Sequence, residues 1–200
     1  MRLIKFILFL FIGIYSNAQN QIIDILEDDG SAITDTYYKD INNLLDPFEG
    51  TYIYSNGSTI FKIVLTKKVL QYNGRYYEDL IIGEYQYTNN GVEIANTLTE
   101  INTIYNNQRR HSIDGNALVN SNHRQWQCSD CSAGEKRLRT SIRDVVSSRY
   151  ADLIMRRTTE GGQEVMKIKI TNISRVFHIE GQPSPVDFAL PIGEFILIKQ

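Results

Sequence analysis

From Gly50 onward apolar and polar residues alternate at a period of two, the spacing that gives each face of a strand its own row of side chains. The runs Thr51–Ser55, Thr59–Tyr72 and Tyr76–Thr88 are followed in turn by Asn56-Gly57, Asn73-Gly74 and Asn90-Gly91. Asn-Gly supplies the positive φ that tight hairpin turns need, so these runs predict consecutive antiparallel strands. Phe61, Ile63 and Leu65 share one face of the second run, and Tyr77, Ile81, Tyr85 and Tyr87 one face of the third. Glu93–Asn122 alternates only in patches, with weaker strands expected near Ile101–Tyr105 and Ala117–Asn120. Clean alternation returns at Leu138, Thr140 and Ile142, opposed by Arg137, Arg139 and Arg143. Ala151, Leu153 and Met155 make the next inward row, then Met166, Ile168 and Ile170, with Lys167 and Lys169 pointing out.

Before Gly50 the period is helical. Tyr37/Tyr38, Ile41 and Leu44/Leu45 fall on one face behind Asp35 as a cap, and Pro47 forces a stop near Asp46. One short N-terminal amphipathic helix is therefore expected, followed by about eight to ten hairpin-connected strands. The predicted fold class is all-β: an antiparallel up-and-down meander closing into a β-barrel, with a β-sandwich as the alternative. Either arrangement removes or shields exposed strand edges.

The order of a short helix, then Gly50-Thr51-Tyr52, then a meander resembles the lipocalin-like class, in which Gly-x-Trp opens the first strand and the helix plugs one barrel end. Tyr52 stands where that class has tryptophan. The resemblance implies a late-strand arginine beside it, with Arg156 or Arg157 as candidates, and a barrel that takes a small ligand. More broadly the chain resembles small exported bacterial proteins of a domain-of-unknown-function family, which implies export and no particular mechanism.

The first residues say where such a chain works. Arg2 and Lys5 precede an apolar run over Phe6–Tyr15, and Ser16-Asn17-Ala18 offers the small residues a signal peptidase reads. Residues 1–18 are read as a cleaved signal peptide, residues 19–34 as a flexible acidic arm, and residues 35–200 as a single β domain with its N-terminal helix. Export to the periplasm or the extracellular space follows. No later run is long enough to span a membrane, so a membrane-spanning protein is not expected. The 200 residues carry 21 basic and 23 acidic side chains. Without the two basic residues of the leader, that mildly acidic balance argues against a nucleic-acid partner. Charge is uneven, however. Gln19–Gly50 is acidic and Lys136–Arg175 basic, which points either to mutual attraction within the chain or to an outside anion.

Candidate chemistry is sparse. Cys128 and Cys131 are the two cysteines, and in an oxidising compartment they are first a local disulfide. Thiol redox work needs a helix N-terminus or nearby cations, which Lys136 and Arg137 would have to supply. Zinc would need His111, His123 or His178 beside the two sulfurs, at no regular spacing. Glu27-Asp28-Asp29-Gly30 lacks the alternation of a calcium loop. No nucleophile elbow, phosphate-cradling glycine loop or His-Glu-x-x-His motif is present. No catalytic residue, metal ligand or cofactor is assigned. Two binding readings remain. Tyr77, Tyr85 and Tyr87 would line an interior pocket for a small apolar or amphipathic molecule. Alternatively Arg137, Arg139, Arg143, Lys167 and Lys169 would hold an anionic partner of the cell envelope.

Overall fold

The computed structural model describes residues 21–176 and 180–200. The signal-peptide reading of residues 1–18 and the histidine His178 lie outside them. Eleven strands follow in chain order: β1 (Ile22–Asp24), β2 (Tyr37–Lys39), β3 (Gly50–Asn56), β4 (Thr59–Tyr72), β5 (Tyr77–Asn89), β6 (Val92–Asn96), β7 (Ile113–Val119), β8 (Arg137–Asp144), β9 (Arg149–Glu160), β10 (Gln163–Thr171) and β11 (Gly193–Lys199). The Asn-Gly signals fall at hairpins. Asn90 and Gly91, with φ of 49° and 80°, form the two-residue loop between Asn89 and its partner Val92.

β5 is the strand on which closure depends. One of its edges pairs with β4 from Ile60↔Thr88 to Tyr72↔Tyr77, and the other meets β7 at Ile81↔Gly115 and Gly83↔Ile113. The order β5-β4-β3-β11-β10-β9-β8-β7 thus returns to β5 and makes a closed antiparallel barrel of eight strands. The rest of the β7-facing edge of β5 is used too. Its Gln86–Asn89 end pairs with β6, while Tyr77 and Glu78 pair in parallel with β2, which carries β1 on its far side.

The inward rows expected from alternation meet in one interior. Phe61, Ile63, Tyr85, Leu138, Ile142, Leu153, Met155, Met166, Ile168 and Leu197 have no solvent exposure and form one cluster. Phe61 lies between Tyr85 and Tyr87, with ring centroids 6.1 and 5.9 Å away. The other face of β5 is covered as well. Leu80, Ile82 and Glu84 are buried on the outer side, where the segment from Leu98 to Ser112 lies over them.

Two expectations are corrected at the N-terminal end. The helix over Asp35–Asp46 does not form: Tyr37–Lys39 is a strand, and a 3₁₀ turn at Asp46–Phe48 is the helical remnant. Asp40 accepts from the backbone N–H groups of Leu44 and Leu45 at 2.8 and 2.9 Å, and Asp79 accepts from that of Asp40 at 3.0 Å. Carboxylates therefore satisfy donors that a helix would have paired internally, and Asn43 at φ 54° breaks the helical path. Tyr38 and Leu45 still point to the core, whereas Ile41 is exposed. The acidic arm is also anchored, since Ile22–Asp24 pairs with Tyr37–Lys39 and Ile25 is buried. The strand expected near Ile101–Tyr105 is instead a 3₁₀ turn over Leu98–Asn102.

Candidate functional site

The 3₁₀ turn at Asp46–Phe48 exists because Pro47 fixes φ at its start and has no N–H to leave unpaired. It drives Phe48 into the core at one end of the barrel and leaves Leu44 and Pro47 facing outward. Across from it stand the ends of β9 and β10, with Arg157, Thr158, Thr159 and Glu164, and the residues that lead into β8, Gly134 and Lys136. Together they enclose an open pocket of about 460 Å³ at the barrel mouth, apolar on one wall and charged on the other.

The charges there are unequal. Arg157 and Lys199 both bind the one carboxylate of Glu164, Lys199 at 2.9 Å. Lys136 donates to the amide oxygen of Asn120 at 2.6 Å and makes no ion pair among the described residues. The Nε of Arg157 is shielded from solvent and has no hydrogen-bond partner among the described residues. On the turn side, Asp40 and Asp46 share the one cation of Lys67, and the carboxylate of Glu49 accepts from the Lys67 backbone N–H at 2.6 Å. Among the residues that line the pocket, Lys136 and Arg157 stand with a single acid, Glu164, so that wall carries a local excess of one positive charge.

Tyr52 lies beneath this pocket, fully buried, its hydroxyl donating to the Glu49 carbonyl at 3.1 Å. Burial pushes its hydroxyl pKa up to about 12, and the charge of Arg157 opposes that shift. Arg157 pairs across with Met166 on the inward row, so it is the arginine placed near Tyr52. Arg156 points outward to Asp130 at 2.7 Å and to Glu135 at 2.6 Å.

The three tyrosines read as pocket-lining are not gathered around any of the four pockets described in this structure. The Tyr85 hydroxyl donates to the Arg143 carbonyl at 2.9 Å and accepts from the Val145 N–H at 3.1 Å. Tyr87 packs edge-on against Phe61, and Tyr77 against Tyr72 near the β2 edge. None of the four pockets is lined by Phe61, Ile63, Tyr85, Leu153 or Met155.

The basic strand residues are on the outer face as expected, but most carry partners. Arg139 binds Asp152 at 3.0 Å, Lys167 binds Glu160 at 2.6 Å and Lys169 binds Glu194 at 3.1 Å. Lys167 also reaches Asp130 of the disulfide loop at 4.0 Å; these partners come from neighbouring strands and that loop, not from the acidic N-terminal stretch. Arg143 stands apart at the far end of β8. Arg137 is fully buried under the segment before β8 and lies 5.2 Å from the ring centre of Trp126. Cys128 and Cys131 form a disulfide, so neither sulfur is free as a thiol.

Sequence reasoning named Lys136 as a cation for the cysteines and Arg157 as a candidate partner for Tyr52, and placed neither at a pocket; the sign of the Arg157 site was a charged residue on an otherwise apolar inward row. It also missed two polar clusters around β5. His111 binds Glu84 at 2.8 Å with both side chains buried, and Arg109 spans Glu78 and Asp114. Glu78 takes Nε and Nη2 of Arg109, leaving Asp114 a single bond from Nη1 at 3.0 Å. Burial, followed by the charge of Glu78, raises the pKa of Asp114 to about 6 despite Arg109.

A family model described as a family of unknown function, DUF6705, matches residues 1–200. The chain belongs to that family. No curated protein and no solved structure matches it. The DUF6705 chain is thus a closed eight-stranded barrel with a side-chain-filled interior, a disulfide-bearing loop and a pocket at one mouth. Among the described residues no helix is long and apolar enough to cross a membrane.

Proposed function

We propose that this protein is a non-catalytic binding module that holds a small amphipathic anion at the barrel mouth. The observation that carries the reading is the pairing of two unlike walls. Leu44, Pro47 and Phe48 form an apolar wall for a hydrocarbon segment; opposite, Arg157 and Lys199 share the single carboxylate of Glu164, and Lys136 makes no ion pair among the described residues. A carboxylate or sulfonate head entering there gains charge-assisted hydrogen bonds from cations that are incompletely neutralised. The ligand sits at the rim and leaves the packed interior closed, which suits a small barrel filled by its own side chains.

Export belongs to the same reading. It is supported by the leader-like residues 1–18 and by a disulfide, which persists in oxidising compartments. N-terminal sequencing of the mature chain should begin at Gln19; an intact Met1 would count against export.

The site is tested with 8-anilinonaphthalene-1-sulfonate, an amphipathic anion whose fluorescence rises in apolar surroundings, and with decanoate as competitor. Saturable binding displaced by decanoate is expected, with about tenfold weaker affinity in Arg157→Gln or Lys136→Gln. Wild-type affinity in both variants would refute the assignment.

A further inference from the structure

We infer that a second site, on the outer barrel face beneath the disulfide loop, binds an anionic polysaccharide through Trp126 and the cations around it. The loop from Ser121 to Gly134 folds back on the strands. Cys128 N–H bonds the Ser121 carbonyl at 2.8 Å, Asp130 is held by Arg156, and the Cys128–Cys131 bridge closes its tip. Between this loop and β9, β10 and β11 lies a cleft of about 490 Å³. Arg124, Trp126, Lys167 and Lys169 line it, with Asp130 and Glu194 as the acids.

Two cations here have no carboxylate partner among the described residues, and both flank Trp126. Arg124 is exposed two positions before it and makes no ion pair. Arg137 is stacked against the ring with no solvent exposure; one of its nitrogens binds the Asn120 carbonyl at 2.7 Å, while Nε and Nη1 find no hydrogen-bond partner among the described residues. A buried guanidinium left uncompensated keeps the loop at positive potential. His123 reports the same field: burial first, then repulsion from Arg139, Arg137 and Arg124, holds its pKa below the ordinary range.

Lys167 and Lys169 add cations whose present partners, Glu160 and Asp130 for Lys167 and Glu194 for Lys169, are exposed. Exposed pairs of this kind are weak and exchange readily for another anion. An aromatic ring bordered by cations suits a sugar whose ring stacks while its sulfate or carboxylate groups meet Lys and Arg. The polar lining and the lack of an apolar floor disfavour a lipid tail here, in contrast to the mouth pocket.

Trp126 is the one tryptophan of the chain, so its emission reads this cleft directly. The full chain is titrated with dextran sulfate, neutral dextran and inorganic sulfate. A saturable emission change with dextran sulfate alone is expected, weakened about tenfold in Arg124→Glu and in Lys169→Glu, and falling steeply with added salt. Retardation in a native gel containing dextran sulfate provides a second readout, and Arg157→Gln should behave as wild type in both assays. An equal response to neutral dextran, an equal response to inorganic sulfate at matched sulfate concentration, or wild-type binding by Arg124→Glu would overturn the inference. Because the mouth pocket is read with a different probe and different variants, either site can fail alone.

Discussion

Tyr85→Phe separates a packed barrel interior from a ligand cavity. The substitution removes one oxygen and keeps the ring, so it leaves the contact with Phe61 in place. In the structure that oxygen spans the barrel from β5 to the turn after β8, donating to the Arg143 carbonyl at 2.9 Å and accepting from the Val145 N–H at 3.1 Å. The hydroxyl is withdrawn from water, and burial raises its pKa to about 12. Each hydrogen bond contributes about 1 kcal/mol, and leaving a buried backbone group unpaired costs about 1–3 kcal/mol. The expected loss is therefore about 2–3 kcal/mol. For a domain of this size that lowers Tm by roughly 4–12 °C. Urea unfolding followed by far-UV circular dichroism measures it, with the midpoint shifting at constant m if the native barrel is otherwise unchanged. A change below about 0.5 kcal/mol, the range of ordinary surface substitutions, would refute the reasoning and reopen Tyr85 as a wall of a hydrated cavity.

The remaining predictions concern charge and covalent structure. Asp114 has its folded pKa raised to about 6, so the native state binds its proton more tightly than the unfolded chain does. Its contribution to stability is fully present below the unfolded value and is lost as pH rises from about 4 to about 6, on the order of 3 kcal/mol. Asp114→Asn should flatten that decline in urea titrations across this window; an unchanged decline would assign it to other groups. Reducing the Cys128–Cys131 bridge should cost less than about 2 kcal/mol, because a sequence separation of three closes a very short loop. Thermal melts with and without reductant should differ by a few degrees, and global unfolding on reduction would contradict a purely local brace.

Most of the barrel was legible because one period governs it. Leu138, Thr140 and Ile142, or Met166, Ile168 and Ile170, lie on the inward rows that alternation assigns them, since a one-residue slip would turn each row to water. The segment before Gly50 was misread for an identifiable reason. Tyr38 and Leu45 do face the core at helical spacing, but Asp40 and Asp79 take the backbone donors through long-range hydrogen bonds that no local pattern encodes. An amphipathic pattern about twelve residues long is also too short to impose a helix against such competition.

The sites were less legible than the fold. Strand parity correctly placed Lys167 and Lys169 outside, yet it could not show that Glu160 and Glu194 would stand beside them. Tyr85 was correctly read as inward, but the hydroxyl's partners, Arg143 and Val145, are 58 and 60 residues away. The mouth pocket unites Leu44, Lys136 and Arg157 from separate stretches, a combination made only where the Asp46–Phe48 turn comes to lie across from the ends of β9 and β10.

The claim that ligand occupies the mouth while the interior stays filled is tested most directly by nuclear Overhauser contacts between decanoate and the isotope-labelled protein. Contacts from the alkyl protons to Leu44 and Phe48, with the carboxylate perturbing Arg157, are the predicted result. Contacts to Phe61, Ile63 and Met155 would place the ligand inside the barrel and contradict the account.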